Sequence, residues 1–410
     1  MSNLAIKGGP PVAKDLRIPP WPIVTDEDKQ AVMKALEARQ WCLGPVVREF
    51  AQAMAKYHDA KHCIAVANGT VALELPLKAV GVRPGDEVIV PAVTFIATAS
   101  AVSEVGAVPV FVDMDPETAQ LSPAAVEAAI TKRTTAVLGV HYAGYPFDLD
   151  AVGAICKKRG LKLVEDCAHA QGTEWRGRKV GAQGDAGGMS TQASKALAAG
   201  EGGVMLTDSD EVYGRALLIH NIGRVPGKPG YEHHVLSSNY RLHEMQGALL
   251  LSALKRLPAE VELRHQNGEW LAAELSKIDG VEPLKRDPRI TKRGYYFFII
   301  RYDAQQFGGV HRDKFLAALR AEGVSGGTAY GYPLYKNPCF QRKLVREVLW
   351  HARRRLPEYE KMCLPAAEKF CAEQQITLGH ALLMADRSEL QKVVDAIAKI
   401  KANLDDLRTV

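Results

Sequence analysis

A chain of 410 residues that is 47% hydrophobic and 24% charged is long enough for two domains and has the make-up of a globular protein. Its formal net charge of +5 is mild for that length, and no block of five or more basic residues occurs, which argues against a nucleic-acid partner. The first residues lack a signal-peptide pattern and no apolar run approaches about 18 residues, so no membrane span is expected.

Residues 1–24 are proline-rich and irregular, with Pro10, Pro11, Pro19, Pro20 and Pro22. Thr25-Asp26-Glu27 caps a helix through about Ala38. Gly44-Pro45 breaks the chain, and a second helix runs from about Val46 to His58. The pattern then alternates. Strands are expected at Cys63–Val66, Glu87–Val90, Pro109–Val112, Thr135–Leu138 and Leu161–Val164. Helices are expected at Thr70–Ala79, Phe95–Val105, Pro123–Ile130 and Asp148–Lys158. Such alternation implies βαβ units and a mainly parallel sheet. A long helical pattern from Glu244 to Leu275 leads out of this α/β region. The large domain, with its N-terminal arm, is accordingly placed at 1–250, and a smaller α+β domain at 251–410. The latter holds a strand at Tyr295–Ile300 and helices at His311–Ala321 and Leu390–Leu404. The densest basic run, Arg353-Arg354-Arg355, reads as a solvated helix face. Seven cysteines, odd in number and without a C-x-x-C pair, favour reduced thiols and a cytoplasmic protein over a disulfide framework or zinc site; no metal is expected.

The most informative stretch is Ser190-Thr191-Gln192-Ala193-Ser194-Lys195-Ala196-Leu197. One lysine sits among small residues, between a buried strand end at Asp185–Ser190 and the apolar run Val204-Met205-Leu206. Desolvation there lowers an amine's pKa, and such an amine attacks aldehydes to form Schiff bases. The same residues also fit a solvated lysine at a turn. The context lies 29 positions upstream, in the short strand that ends at Glu165-Asp166. An acid at the carboxyl end of a parallel strand points into the ligand crevice of an open α/β sheet. A Schiff-base lysine paired with that acid is the arrangement that pyridoxal phosphate requires, the acid keeping the pyridine nitrogen protonated. Gly69-Thr70, between a strand and a helix, fits either a phosphate site or an ordinary helix cap.

Five segments in order resemble the DegT/DnrJ/StrS sugar aminotransferases, fold-type I pyridoxal phosphate enzymes. They are Ala67-Asn68-Gly69-Thr70, Pro91–Thr98, Glu165–Ala170, the lysine segment, and Ser238-Asn239-Tyr240-Arg241. The resemblance implies a seven-stranded, mainly parallel sheet with a smaller C-terminal domain. It implies that Gly69, Thr70 and Ser190 meet the cofactor phosphate, with Asn68 departing from the usual serine. It also implies that Phe95 stacks on the ring, that His169 lies near its 3-hydroxyl, and that Asp166 and Lys195 are catalytic. On their own, Phe95 fits a core residue, His169 a loop histidine, and Arg241 a surface ion pair. Asn239 and Arg241 match a loop that reaches the neighbouring subunit, one toward the phosphate and the other toward a donor carboxylate, which implies a homodimer with shared active sites.

At the lysine, Thr191-Gln192-Ala193-Ser194-Lys195 stands where the commoner members carry Phe-His-x-x-Lys, with Thr191 for Phe and Gln192 for His. This is closer to the branch that includes L-glutamine:scyllo-inosose aminotransferase and 3-amino-5-hydroxybenzoate synthase, as is Gly331-Tyr332-Pro333-Leu334-Tyr335. Thr191 and the alanines at 196, 198 and 199 depart from it. Gln192, Tyr332 and Tyr335 are polar, uncharged candidates for binding a cyclic polyhydroxy ketone. The implied reaction moves an amino group from glutamine or glutamate to a keto-cyclitol or ketosugar in antibiotic or cell-surface glycan biosynthesis. The alternative acceptor is a nucleotide-linked ketosugar. A dehydratase of the same family would carry histidine in place of Lys195, and a non-catalytic relative has no need of both Asp166 and Lys195.

Overall fold

Seven short strands form the central sheet: β1 (His62–Val66), β2 (Glu87–Pro91), β3 (Val108–Val112), β4 (Thr134–Val140), β5 (Lys162–Asp166), β6 (Ala186–Ser190) and β7 (Gly203–Thr207). In this computed structural model the described residues are 3–409 apart from 226, 229 and 353–355, so Arg353-Arg354-Arg355 lies outside them. β2, β6 and β7 are buried along their whole length, as strands covered on both faces must be. Across the sheet the order is β1-β7-β6-β5-β4-β2-β3. The pairs from β6 to β3 are all parallel, whereas β7 runs against both β6 and β1. β1 therefore points the same way as the parallel set. The carboxyl ends of β1, β2, β5 and β6 open on one edge, where an open α/β sheet binds its ligands. The expected mainly parallel seven-stranded sheet is present.

Helices Val71–Ala79, Ala97–Glu104, Pro123–Ala129 and Leu149–Arg159 connect the first five strands. Helix Glu244–Leu275 spans the whole expected pattern. Leu250, Leu254, Leu257 and Val261 on it belong to the core under the sheet, while Leu271 and Leu275 belong to a second core. That second core is built on a three-stranded antiparallel sheet of Val281–Pro283, Phe297–Tyr302 and Gln375–Gly379. A boundary at 250 thus falls within one continuous helix. Residues after 250 also do not all join the second core: Leu334, Phe340, Tyr359 and Phe370 return to the sheet. Phe340 and Tyr359 pack on Phe111 of β3 at 5.0 and 5.6 Å.

The strand expected from Tyr295 begins two residues later, at Phe297, because Tyr295 holds a φ of +45°. That left-handed backbone breaks the extended run and leaves Tyr296 outside the ladder. The N-terminal arm is irregular, as expected, but anchored. Leu4 and Ala13 are part of the second core, and the Glu322 carboxylate accepts the Ala5 and Val12 N–H groups. Among the described residues no helix is long and apolar enough to cross a membrane.

Under the ligand edge, Glu165 is fully buried. Its carboxylate accepts from His141 Nε2 (2.9 Å) and from the backbone N–H groups of Gly181, Gln183 and Gly184 (2.9, 2.7 and 2.8 Å). Burial opposes the charge, but the His141 contact and the Gly184 and Gly181 N–H groups win and hold the carboxyl below its ordinary range. Glu165→Ala strands all four donors, and a loss of roughly 3–5 kcal/mol is expected in urea denaturation followed by tryptophan fluorescence. Because the folded-state pKa is depressed, the stabilisation is present above the ordinary carboxylate range. The gap between wild type and variant should therefore close as the pH falls through and below that range.

Candidate active site

Asp166 ends β5 with its side chain almost completely buried. Oδ2 accepts from the Thr98 hydroxyl at 2.8 Å and Oδ1 from the Ala168 N–H at 3.0 Å. Burial pushes the carboxyl above its usual range; the Ala168 N–H, the Thr98 hydroxyl and the Lys195 charge work in the opposite direction. Thr98 sits in the first turn of helix Ala97–Glu104, where it also meets Thr94 at 3.2 Å.

Lys195 lies in the loop between β6 and β7 and is 8% exposed. Burial brings its amine down to about 8, against the charge of Asp166. Nζ stands 4.0 Å from the centre of the Tyr296 ring. The Tyr296 hydroxyl meets Ser194 Oγ at 2.7 Å, and Ser194 donates through both Oγ (2.7 Å) and N–H (2.8 Å) to Gln192 Oε1. Gln192 thus orders the lysine loop through its amide oxygen. Tyr296 also stacks on His169, with ring centres 4.2 Å apart and planes 21° apart. His169 is buried, and burial with the nearby lysine charge holds it neutral, well below its usual pKa. The Ala143 N–H points at His169 Nδ1 at 3.4 Å, which assigns the ring proton to Nε2.

Ser190, at the end of β6, meets the turn after β1. A Cβ on Gly69 would fall 2.6 Å from Ser190 Cβ, so only glycine lets that turn lie on the serine. Asn68 is the helix cap: its Oδ1 accepts the N–H groups of Thr70 and Val71 at 3.0 and 3.1 Å. The helix-cap reading of the Gly69-Thr70 turn is therefore met, with Asn68 as the capping residue. The cap uses two N–H groups, while the Gly69 N–H and the Thr70 hydroxyl have no partner among the described residues.

Phe95 is not a core residue; it is 54% exposed, 6.4 Å from the Tyr330 ring. Tyr330 also faces Tyr142 at 5.8 Å. The segment carrying it is tied to the end of β2 by Leu334 N–H donating to the Ala92 carbonyl at 2.8 Å. Tyr332 is half-exposed, its hydroxyl on Asn337 Oδ1 at 3.3 Å. Tyr335 is a core residue: its ring is buried against Phe111, and its hydroxyl donates to Glu368 (2.6 Å) and accepts from the Leu364 N–H (3.1 Å). The aromatic brought to Phe95 is Tyr330.

Asn239 and Arg241 do not contact Lys195, Asp166 or Ser190 among the described residues. Asn239 is exposed, and its Oδ1 accepts the Arg241 N–H at 3.2 Å. Arg241 Nη1 donates to Asn221 Oδ1 at 2.8 Å, while its buried Nε has no partner. Arg241 lines a cavity of about 880 Å³ beside the edge strand β1, with Leu43, Val47, His62 and Tyr213.

The family model described as the DegT/DnrJ/EryC1/StrS aminotransferase family matches residues 22–383. A protein of Streptoalloteichus tenebrarius with the provisional name L-glutamine:3-amino-2,3-dideoxy-scyllo-inosose aminotransferase is 38% identical, over 99% of this chain and 100% of its own. L-glutamine:scyllo-inosose aminotransferase of Streptomyces griseus is 36% identical, over 100% of this chain and 99% of its own. The crystal structure of 3-amino-5-hydroxybenzoic acid synthase superposes with a TM-score of 0.82 at 34% identity, covering 95% of this chain and 99% of that one. With the match spanning most of its length, this chain belongs to the DegT/DnrJ/EryC1/StrS aminotransferase family.

Proposed function

We propose that this aminotransferase works with pyridoxal 5'-phosphate and transfers an amino group from glutamine or glutamate to a keto-cyclitol or ketosugar. The observation that carries the reading is the pairing of a buried lysine amine, brought down to about 8, with a buried strand-end carboxyl. The donor set fits the cofactor: an amine for its aldehyde, a carboxyl for its ring nitrogen, and an exposed Phe95 ring for its flat face. For its phosphate there are the Gly69 N–H and the Thr70 hydroxyl, both without a partner among the described residues, with Gly69 pressed against Ser190. When bound, the cofactor supplies the carbonyl that carries the amino group and a ring that withdraws electrons from the reacting carbon.

The chain supplies the rest. Asp166, steadied by Thr98 and the Ala168 N–H, holds a proton on the ring nitrogen. Lys195 Nζ, neutral above about pH 8, takes a proton from substrate carbon and returns it. His169, neutral, offers Nε2–H toward the ring's 3-hydroxyl. Gln192, through its amide NH2, and Tyr332 are the candidates to bind the hydroxyls of a cyclic acceptor, and Tyr330, beside Phe95, is a further one. The names of the relatives support a glutamine donor and a cyclitol acceptor, and hence a role in aminocyclitol antibiotic biosynthesis. All seven cysteines are free thiols, which supports a cytoplasmic setting.

The purified protein is expected to be yellow, and borohydride should leave the cofactor on the peptide carrying Lys195; a label on another lysine overturns the assignment. Lys195→Ala should lose roughly 10²–10⁴-fold in turnover. Asp166→Asn should keep bound cofactor yet turn over far more slowly; near-normal turnover counts against its role. In a panel of keto-cyclitols, free ketosugars and nucleotide-linked ketosugars, tested with glutamine and glutamate, keto-cyclitols should give the highest kcat/KM. Turnover confined to the nucleotide conjugates would favour the other acceptor class.

Asn239 and Arg241 are proposed to act in the partner's site of a homodimer, which accounts for their distance from the lysine loop of their own chain. Mixing inactive Lys195→Ala with inactive Asn239→Ala protein should then restore part of the activity, since one site of each mixed dimer is intact. An active Asn239→Ala protein, or a mixture that stays inactive after subunit exchange, rejects shared sites.

A further inference from the structure

The loop that bears the amine is gripped at two successive carbonyls by rings from opposite ends of the chain. Trp21, in the N-terminal arm, donates its indole Nε1–H to the Lys195 carbonyl at 3.1 Å. His380, just after the last strand of the small sheet, donates Nε2–H to the Ser194 carbonyl at 2.9 Å. The two rings meet edge to face at 4.6 Å, interplanar angle 85°. His380 in turn stacks on Tyr296 at 5.7 Å and 25°, and Tyr296 stacks on His169. A column of four rings, from positions 21, 380, 296 and 169, thus runs along Ser194 and Lys195. It holds two backbone carbonyls, one serine hydroxyl and the face on which the amine rests.

We propose that Trp21 and His380 are positioning residues for Lys195: by fixing the carbonyls of residues 195 and 194 they keep its amine over Tyr296 and within electrostatic reach of Asp166. The chemistry favours this over a packing role alone. A lysine side chain has four rotatable bonds, so its terminal atom is placed only if the backbone it hangs from is placed first. The two carbonyls are partly buried, and their donors are supplied from outside the loop rather than from its own turn. Both supports are themselves fixed. The arm before Trp21 is bonded to Glu322 and packed in the second core, and the Trp21 ring lies 5.7 Å from the guanidinium of fully buried Arg264. That guanidinium is bonded through Nε to the Gly294 carbonyl at 3.2 Å, two residues before Tyr296. His380 is neutral at working pH, since burial and the Arg264 charge bring it down to about 4, so its single ring proton is committed to the Ser194 carbonyl. Its Nδ1 is buried without a partner, a cost that a residue used only for packing could avoid by being apolar.

The titratable groups around the amine are Asp166, His169, Tyr296 and His380, and its low pKa depends on where it sits among them. The test uses the cofactor-free full chain. Lys195 is labelled with an amine-specific reagent over a pH series and its peptide is quantified by mass spectrometry. Wild type should titrate near 8. Trp21→Phe and His380→Phe keep a flat ring and remove the donor. Each should shift the midpoint upward by about half a unit to one unit, as the amine gains water. His380→Gln, which keeps an N–H donor, should stay near wild type. In the loaded enzyme the two phenylalanine variants should lower kcat about tenfold with little change in donor KM. An unshifted Lys195 midpoint in both phenylalanine variants, with unchanged circular dichroism, overturns the proposal, as does His380→Gln behaving like His380→Phe. The inference rests on Lys195 being the reactive amine. The two can fail separately: borohydride labelling of wild type judges the cofactor reading, and the cofactor-free titration judges the positioning.

Discussion

An amine and a carboxyl are both withheld from water here, within reach of each other's charge yet with no ion pair joining them. That is the constraint to which the ligand edge conforms. Burying either charge alone costs several kcal/mol. For Asp166 the cost is offset by one hydroxyl and one backbone N–H. For Lys195 it is met partly by the Tyr296 ring, whose face attracts a cation, and partly by easier loss of the proton. A direct salt bridge would lock the amine in its charged form. Keeping the groups apart leaves the amine able to lose its proton more easily than a free lysine. The sheet makes this possible because the ends of β5 and β6 are adjacent and parallel, which places the acid beside the strand leading to the lysine loop.

Much of this was legible in the chain itself. Short continuous apolar runs, alternating with helical stretches capped at Thr25, Ser122 and Asp148, locate most strands and helices within a residue or two. Asp166 and Lys195 stand out because an acid at a strand end and a lone lysine among small residues each break the local pattern. What sequence reading misses are residues that look ordinary where they stand. Tyr296 lies in an aromatic run that reads as continuous strand, and only the positive φ at Tyr295 turns it toward His169. Thr98 is one threonine in a helix. Tyr330 rather than Tyr335 faces Phe95, since the fold of the segment, not its composition, decides which tyrosine packs into the core. Trp21 and His380 are 359 positions apart and touch only because the arm and the small sheet meet over the lysine loop. No local pattern encodes such a meeting.

Asn239 and Arg241 show a different limit. Their motif is readable, but among the described residues their side chains hydrogen-bond only to Asn221 and to each other's segment, while the Arg241 backbone bridges to Val66 of β1. Arg241 leaves its buried Nε unmatched at the rim of a cavity beside an edge strand. Unpaired edge strands are features that proteins generally cover.

Helix Glu244–Leu275 has a further consequence. At about 1.5 Å per residue its 32 residues reach roughly 48 Å, and its buried side chains are shared between two cores. A rod common to two cores transmits melting: fraying of either end removes backbone order that the other core packs against. Amide hydrogens between Val261 and Leu271 should consequently exchange only in the largest opening events, and denaturation should reach both cores in one cooperative transition rather than domain by domain.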